Sequence, residues 1–87
     1  MSIFGIDLEH QLHFQRVFCM NYNIEYERED DGRWLAEVNE LPGVLAYGKT
    51  SEEAMAKAEV LALRVLAERL DLGERKPEPI TITFKAA

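Results

Sequence analysis

The feature that most constrains this sequence is a pair of short alternating segments on either side of a glycine turn. In residues 22–29, YNIEYERE, the aromatic or apolar Tyr22, Ile24 and Tyr26 alternate with polar residues. In the second segment, Trp34, Ala36 and Val38 occupy every other position. A period of two is typical of a strand with one buried face. Gly32 lies between the segments and can adopt a positive φ, so the sequence predicts a tight antiparallel hairpin.

A third strand follows a break in the chain. Leu41-Pro42-Gly43 interrupts the alternation, because proline cannot donate to a strand ladder and glycine permits a sharp turn. We expect a short strand from Val44 to Tyr47, which ends at Gly48. Since so short a link cannot form a parallel crossover, this strand should run antiparallel to the second.

One long helix is predicted next. Residues 50–53, TSEE, form a capping-box pattern, in which the Thr50 hydroxyl accepts from the Glu53 amide and the Glu53 carboxylate reaches back to the Thr50 amide. An apolar stripe at helical spacing then continues to Leu70, and Gly73 marks the end. About 22 residues at a rise of 1.5 Å would give a helix of roughly 33 Å.

A fourth strand ends the chain, because Ile80, Ile82 and Phe84 alternate with polar residues. The helical crossover before it is long enough to return the strand parallel to a central strand. The predicted fold class is therefore α+β, a two-layer β-β-β-α-β domain with one helix on one face of a four-stranded mixed sheet. The predicted helix-facing layer is Tyr22, Ile24, Tyr26, Trp34, Ala36, Val38, Ile80, Ile82 and Phe84. The predicted open face carries Glu25, Glu27, Glu37, Thr81, Thr83 and Leu35, with Leu45 or Tyr47 as further candidates.

The charge of the chain is unevenly distributed. The formal net charge is −6, and between Tyr22 and Glu53 nine acidic residues stand against three basic ones. Because binding to a phosphate backbone needs a basic patch, we expect no direct DNA or RNA binding by this chain alone. An acidic surface suits a basic protein partner instead. The candidate partner-binding residues are Glu25, Glu27, Glu29, Asp30, Asp31 and Glu37; the alternative is that they are ordinary solvated charges.

Length and composition restrict the remaining possibilities. The 87 residues are enough for one domain, and no apolar stretch is long enough to span a membrane. The first residues lack the basic start and cleavage site of a signal peptide, and a single cysteine indicates a reducing compartment, so we expect a cytoplasmic protein. A core this small favours a homo-oligomer, first of all a dimer. No cofactor is implied.

The first 19 residues are predicted to form an N-terminal extension, with a short strand from Ile3 and a helix to about Phe18, ahead of a domain over 20–87. The spacing of His10, His13 and Cys19 is too loose to predict a metal site, and no other metal site is expected.

Residues 27–63, EREDDGRWLAEVNELPGVLAYGKTSEEAMAKAEVLAL, resemble the HicB-like antitoxin family. The matching elements are an acidic strand followed by Asp31-Gly32, then Trp34 with Ala36, then Glu40-Leu41-Pro42-Gly43. The last two matching elements are Ala46 with Gly48, and Thr50 followed by Glu53-Ala54. The resemblance covers about residues 22–84. The chain differs at Asn39, where the family tends to have proline, and it ends at Ala87, so the resemblance implies a stand-alone domain without a C-terminal DNA-binding module.

The resemblance implies a shortened ribonuclease H-like domain. It also implies a function, in which the protein neutralises a small basic HicA-like toxin that cleaves mRNA, by covering the toxin's RNA-binding surface. Two alternatives stay open. One is a degenerate ribonuclease H-like, metal-dependent nuclease with Glu37 as the convergent carboxylate; the other is an oligomeric relative without a toxin partner.

Overall fold

The computed structural model describes residues 20–87. The predicted extension over residues 1–19, with His10, His13 and Cys19, lies outside the described residues. Five elements follow in the order β1 (Met20–Arg28), β2 (Trp34–Val38), β3 (Leu45–Gly48), α1 (Ser51–Asp71) and β4 (Ile80–Ala86). This order confirms the predicted β-β-β-α-β layout.

The four strands form one mixed sheet in the order β3-β2-β1-β4. β1 pairs antiparallel with β2, and β2 pairs antiparallel with β3. β4 pairs parallel with β1, so that the crossover through α1 brings the chain back beside the first strand. The predicted hairpin between β1 and β2 is present, and Gly32 takes a positive φ of 92° in its turn.

The core lies between α1 and one face of the sheet. Ile24, Ala36 and Val38 from the two central strands are fully or almost fully buried there. The helix contributes residues four apart, which share one side of an α-helix, and three of these four are alanines that let the helix approach the sheet closely. They are Ala54, Ala58, Ala62 and Leu66.

The helix covers only part of the sheet, which corrects one prediction. α1 packs on β3, β2 and, less extensively, β1, and makes little or no contact with β4. Ile80 and Phe84 were predicted to be core residues beneath the helix, but each is 40% exposed, while Ile82 between them packs against the core. One helix is about 10 Å wide, about the width of two strands, so the edge strand on the far side stays uncovered.

The start of α1 is capped by side chains. The Thr50 hydroxyl accepts a hydrogen bond from the Glu53 backbone N at 3.1 Å, as predicted. The Glu53 carboxylate accepts from the backbone N of Lys49 at 2.9 Å, whereas the sequence predicted the amide of Thr50. This hydrogen bond, and next to it the Lys57 ammonium, lowers the pKa of Glu53. Within residues 20–87, no helix combines the length and the apolar character that crossing a membrane requires.

Candidate functional site

The sheet face opposite α1 is the candidate site, and we call it the open face. Successive side chains of a strand point to opposite faces. Since Ile24 and Ala36 are buried under the helix, Glu25 and Glu27 of β1 and Glu37 of β2 lie on the open face. The structure therefore brings together three of the six predicted partner-binding residues, from two strands.

Glu25 and Glu37 are directly opposite each other in the antiparallel pair of β1 and β2. Side chains at such positions have Cβ atoms about 4.5–5.5 Å apart, and like charges there destabilise the sheet. A fold optimised only for stability would place a lysine or threonine at one of the two positions. The pair is therefore a local conflict between charge and strand pairing, and such conflicts are expected at functional or strained sites.

Lys85 moderates this negative charge, and it was not among the predicted site residues. β4 places Lys85 beside Glu25 in the parallel register, and the Lys85 Nζ lies 3.6 Å from Glu25 Oε2. Both side chains are partly exposed, so the ion pair adds little stability. Glu27 and Glu37 are exposed and have no ion-pair partner within residues 20–87.

The other three predicted residues, Glu29, Asp30 and Asp31, lie in the turn between β1 and β2. The Asp31 carboxylate accepts hydrogen bonds from the Arg33 backbone N at 3.0 Å and from Arg33 Nε at 2.7 Å. The backbone hydrogen bond is the main reason that the pKa of Asp31 is lowered. Asp31 therefore stabilises the turn. Glu29 and Asp30 extend the negative charge beyond the end of the open face.

The open face has a second, apolar half next to β3. Leu35 and Tyr47 are cross-strand partners, and Leu45 is the partner of Glu37. Leu45 is 37% exposed and Tyr47 is 39% exposed, so both predicted candidates lie on this face. The Arg33 guanidinium carbon lies 4.2 Å from the centre of the Tyr47 ring, a cation–π contact that orients the ring.

Glu40 closes one end of the sheet and has a structural role. Its carboxylate accepts from the backbone N of Asn23 at 2.7 Å and from Asn23 Nδ2 at 2.8 Å, which ties the loop after β2 to β1. Partial burial raises the pKa of Glu40, but the two hydrogen bonds from Asn23 outweigh it, so that the pKa lies below its ordinary value. Sequence reasoning missed this pair, because Asn23 and Glu40 are 17 positions apart.

The acidic residues of the open face are poorly arranged for a metal ion. Glu25 and Glu27 are two positions apart on one strand, a separation of about 6.6 Å along the chain. Among residues 20–87, no three histidine, cysteine or acidic side chains are grouped so that they could hold a metal. In the described part of the chain, the opposed pair of Glu25 and Glu37 therefore lacks a third such ligand.

Comparisons with protein-family models, with curated proteins and with solved structures find no match to this chain. The open face must therefore be interpreted from its own geometry: carboxylates over β1 and β2, and exposed apolar side chains over β3.

Proposed function

We propose that this chain is an antitoxin-like, protein-binding module of the HicB-like type, with a shortened ribonuclease H-like fold, and that its open face binds a small basic HicA-like toxin. The observation that carries the proposal is the opposition of Glu25 and Glu37 on an exposed sheet face. Two like charges held face to face cost stability in the free protein. A cationic side chain of a partner, placed between the two carboxylates, would relieve their repulsion and be attracted by both.

The proposed mechanism is occlusion. A toxin that cleaves mRNA must hold RNA phosphates in a basic groove, and the carboxylates of Glu25, Glu27 and Glu37 would occupy that groove in their place. Complementary charge also speeds association, by about 10- to 1000-fold at low salt. The same negative charge repels nucleic acid from the open face, which agrees with the expectation that this chain does not bind RNA directly.

The apolar half of the open face would supply the contacts that stabilise the complex after association. Exposed Leu45 and Tyr47 beside Leu35 form an apolar surface at the edge of a charged one. Interfaces gain most of their binding energy from a few side chains, often tryptophan, tyrosine or arginine, while rim charges mainly set rate and specificity. The carboxylates would therefore orient the toxin, and Tyr47 would anchor it.

Inhibition of RNA cleavage tests the proposal directly. A purified HicA-like toxin from the same genome would be assayed on an mRNA substrate with increasing amounts of this chain. We expect inhibition that is complete near equal stoichiometry, and that is lost when Glu25 and Glu27 are both changed to lysine. Glu68→Lys, which reverses one charge on the helix side of the sheet, is the control and should inhibit like the wild type.

Cleavage that continues in a large excess of the folded wild-type chain would contradict the proposal and would favour an oligomeric relative without a toxin partner. Magnesium-dependent RNA cleavage by the chain itself, abolished by Glu37→Gln, would favour the nuclease alternative.

A further inference from the structure

Within residues 20–87, the outer edge of β4 has backbone groups without a hydrogen-bond partner, and the hydrogen bonds to β1 show which groups these are. The Pro79 carbonyl accepts from the Met20 backbone N at 3.1 Å, and the Ala87 backbone N donates to the Tyr26 carbonyl at 2.9 Å. The backbone groups of a strand point alternately to its two sides. The odd-numbered residues of β4 therefore pair with β1, and the N–H and C=O groups of Ile80, Ile82 and Phe84 point outward.

β4 has little of the usual protection of an edge strand. Natural proteins guard edge strands with charged side chains, lysine especially, or with proline, bulges or short length. β4 is seven residues long, has no proline, and contains one charged residue, Lys85, which lies 3.6 Å from Glu25 of the same chain. The other edge strand, β3, has only four residues.

An apolar strip runs along the helix side of this edge. The register places Ile80 and Phe84 on the same face as buried Tyr22 and Ile24, yet each is 40% exposed because α1 does not reach β4. The edge of β4 in residues 20–87 therefore combines unpaired backbone groups with uncovered apolar surface.

The helix borders this strip with further apolar side chains. A shallow depression lined by Ala46, Lys57 and Leu61 shows which flank of α1 lies over β3. Helical spacing puts Leu63 and Leu70 on the opposite flank, toward β4, where they are 47% and 43% exposed.

We propose that β4 pairs antiparallel with β4 of a second copy of this chain, across a two-fold axis perpendicular to the sheet. The two sheets would then form one continuous eight-stranded sheet, and Ile80, Ile82 and Phe84 of both copies would pack together between the two helices.

A second copy fits because β4 contains no acidic residue, although the chain carries a net charge of −6. Two like-charged copies can approach each other along this edge without bringing carboxylates of β4 together. Such an isologous contact is also self-complementary, as a closed dimer requires.

The symmetry has a consequence for the open face. An axis perpendicular to the sheet keeps both helices on one side and both open faces on the other. If the proposed toxin binding holds, the dimer presents two binding faces side by side. The pairing of β4 itself does not depend on that function, so the two proposals can fail separately.

The molecular mass of the full-length chain, measured by light scattering over a dilution series, tests the dimer. We expect the mass of two chains for the wild type and of one chain for Phe84→Glu, which would place two carboxylates at the shared apolar strip. Val60→Glu is the matched control, since Val60 is also exposed but lines the depression on the flank of α1 over β3. That variant should remain a dimer.

A second pair of variants separates backbone pairing from apolar contact. Phe84→Ala removes only the side chain, whereas Phe84→Pro also removes the outward N–H. The fold of one chain does not use this N–H, because β4 is an edge strand of its sheet. We expect Phe84→Ala to raise the dimer dissociation constant and Phe84→Pro to raise it at least tenfold further, with far-UV circular dichroism unchanged in both. In hydrogen exchange, the amides of Ile82 and Phe84 should be protected in the dimer and exchange quickly on dilution.

A monomeric wild type would overturn the proposal. So would a dimer that Val60→Glu dissociates and Phe84→Glu leaves intact. A monomer with protected Ile82 and Phe84 amides would show that another part of the same chain covers the edge, which also overturns it.

Discussion

Gly48, the last residue of β3, lies against the first turn of α1, and a Cβ at this position would come 2.6 Å from the backbone N of Ala54. The φ of Gly48 is not positive, so the position needs glycine for space and not for backbone conformation. Since Ala54 is fully buried, its backbone cannot move away without disturbing the core. The close approach fixes the start of the helix over β3.

Gly48→Ala should therefore destabilise the fold by about 1–3 kcal/mol, the usual cost of adding a methyl group to a packed site. Urea denaturation measures the loss. Gly43→Ala is the comparison, because Gly43 has open space around it and a φ of 86°, so only the backbone conformation costs energy there, about 1 kcal/mol. A Gly48→Ala chain as stable as the wild type would show that the helix start is not held closely against β3.

The hydroxyl of Thr50 caps α1, and its removal should lower stability. Thr50→Ala takes away the acceptor of the Glu53 backbone N. We expect a loss of about 1 kcal/mol in the free energy of unfolding, the typical value for an N-cap. Thr50→Ser keeps the hydroxyl and should stay close to the wild type. Equal losses in the two variants would indicate that the threonine methyl group, and not the hydrogen bond, is responsible.

The hydrogen bonds of Glu40 make stability depend on pH. Because the pKa of Glu40 is lowered in the folded state from its ordinary value of 4.5, the folded protein holds this proton less tightly than the unfolded chain does. The stabilisation is complete above the unfolded pKa and is lost as pH falls through the folded pKa. Stability should therefore decrease as the pH is lowered through 4.5 and below.

Urea midpoints measured across this range for the wild type and for Glu40→Gln would test the assignment. The glutamine variant should show a flatter pH profile, because it cannot ionise, and a carboxyl titration followed by NMR should place the pKa of Glu40 below 4.5. If the two profiles have the same slope, other carboxylates such as Glu53, whose pKa is also lowered, dominate the acid response.

The hairpin, the third strand, the helix and the final strand all follow from the local pattern of the sequence, because a period of two or of 3.6 shows which side of an element is apolar. The pattern does not show how far a neighbouring element reaches. Phe84 alternates like a core residue, yet the helix lies over β3 and β2 and leaves it exposed. Periodicity assigns a face, whereas burial depends on what covers that face.

In the candidate site, too, the local sequence pattern predicts which face a residue lies on but not which residues it contacts. The alternation of β1 and β2 correctly places Glu25 and Glu37 on the open face. The contact between Glu25 and Lys85 depends on the parallel register of β4, which no turn residue determines. Likewise, Glu53 accepts from Lys49 and not from Thr50, a difference of one residue that a capping-box pattern does not resolve.

The opposition of Glu25 and Glu37 leads to the most discriminating prediction, since stability and function should respond in opposite directions. Glu37→Lys replaces a like-charge cross-strand pair with an opposite-charge pair, so it should stabilise the fold by about 0.2–1 kcal/mol. The same change reverses the charge at the centre of the open face and should weaken the proposed toxin complex. Urea denaturation measures the first effect, and stopped-flow association with the HicA-like toxin at several salt concentrations measures the second.

The salt series identifies the cause of any weakening. Steering by charge makes association faster at low salt, and Glu37→Lys should both slow association and reduce its dependence on salt. Glu68→Lys makes the same change in net charge on the helix side of the sheet, so its association rate should retain the wild-type dependence on salt. Glu37→Lys chains that are more stable but associate like the wild type would mean that the carboxylates of the open face are solvated charges. A less stable variant would mean that the opposed pair is not strained, and the argument from Glu25 and Glu37 to a basic partner would lose its basis.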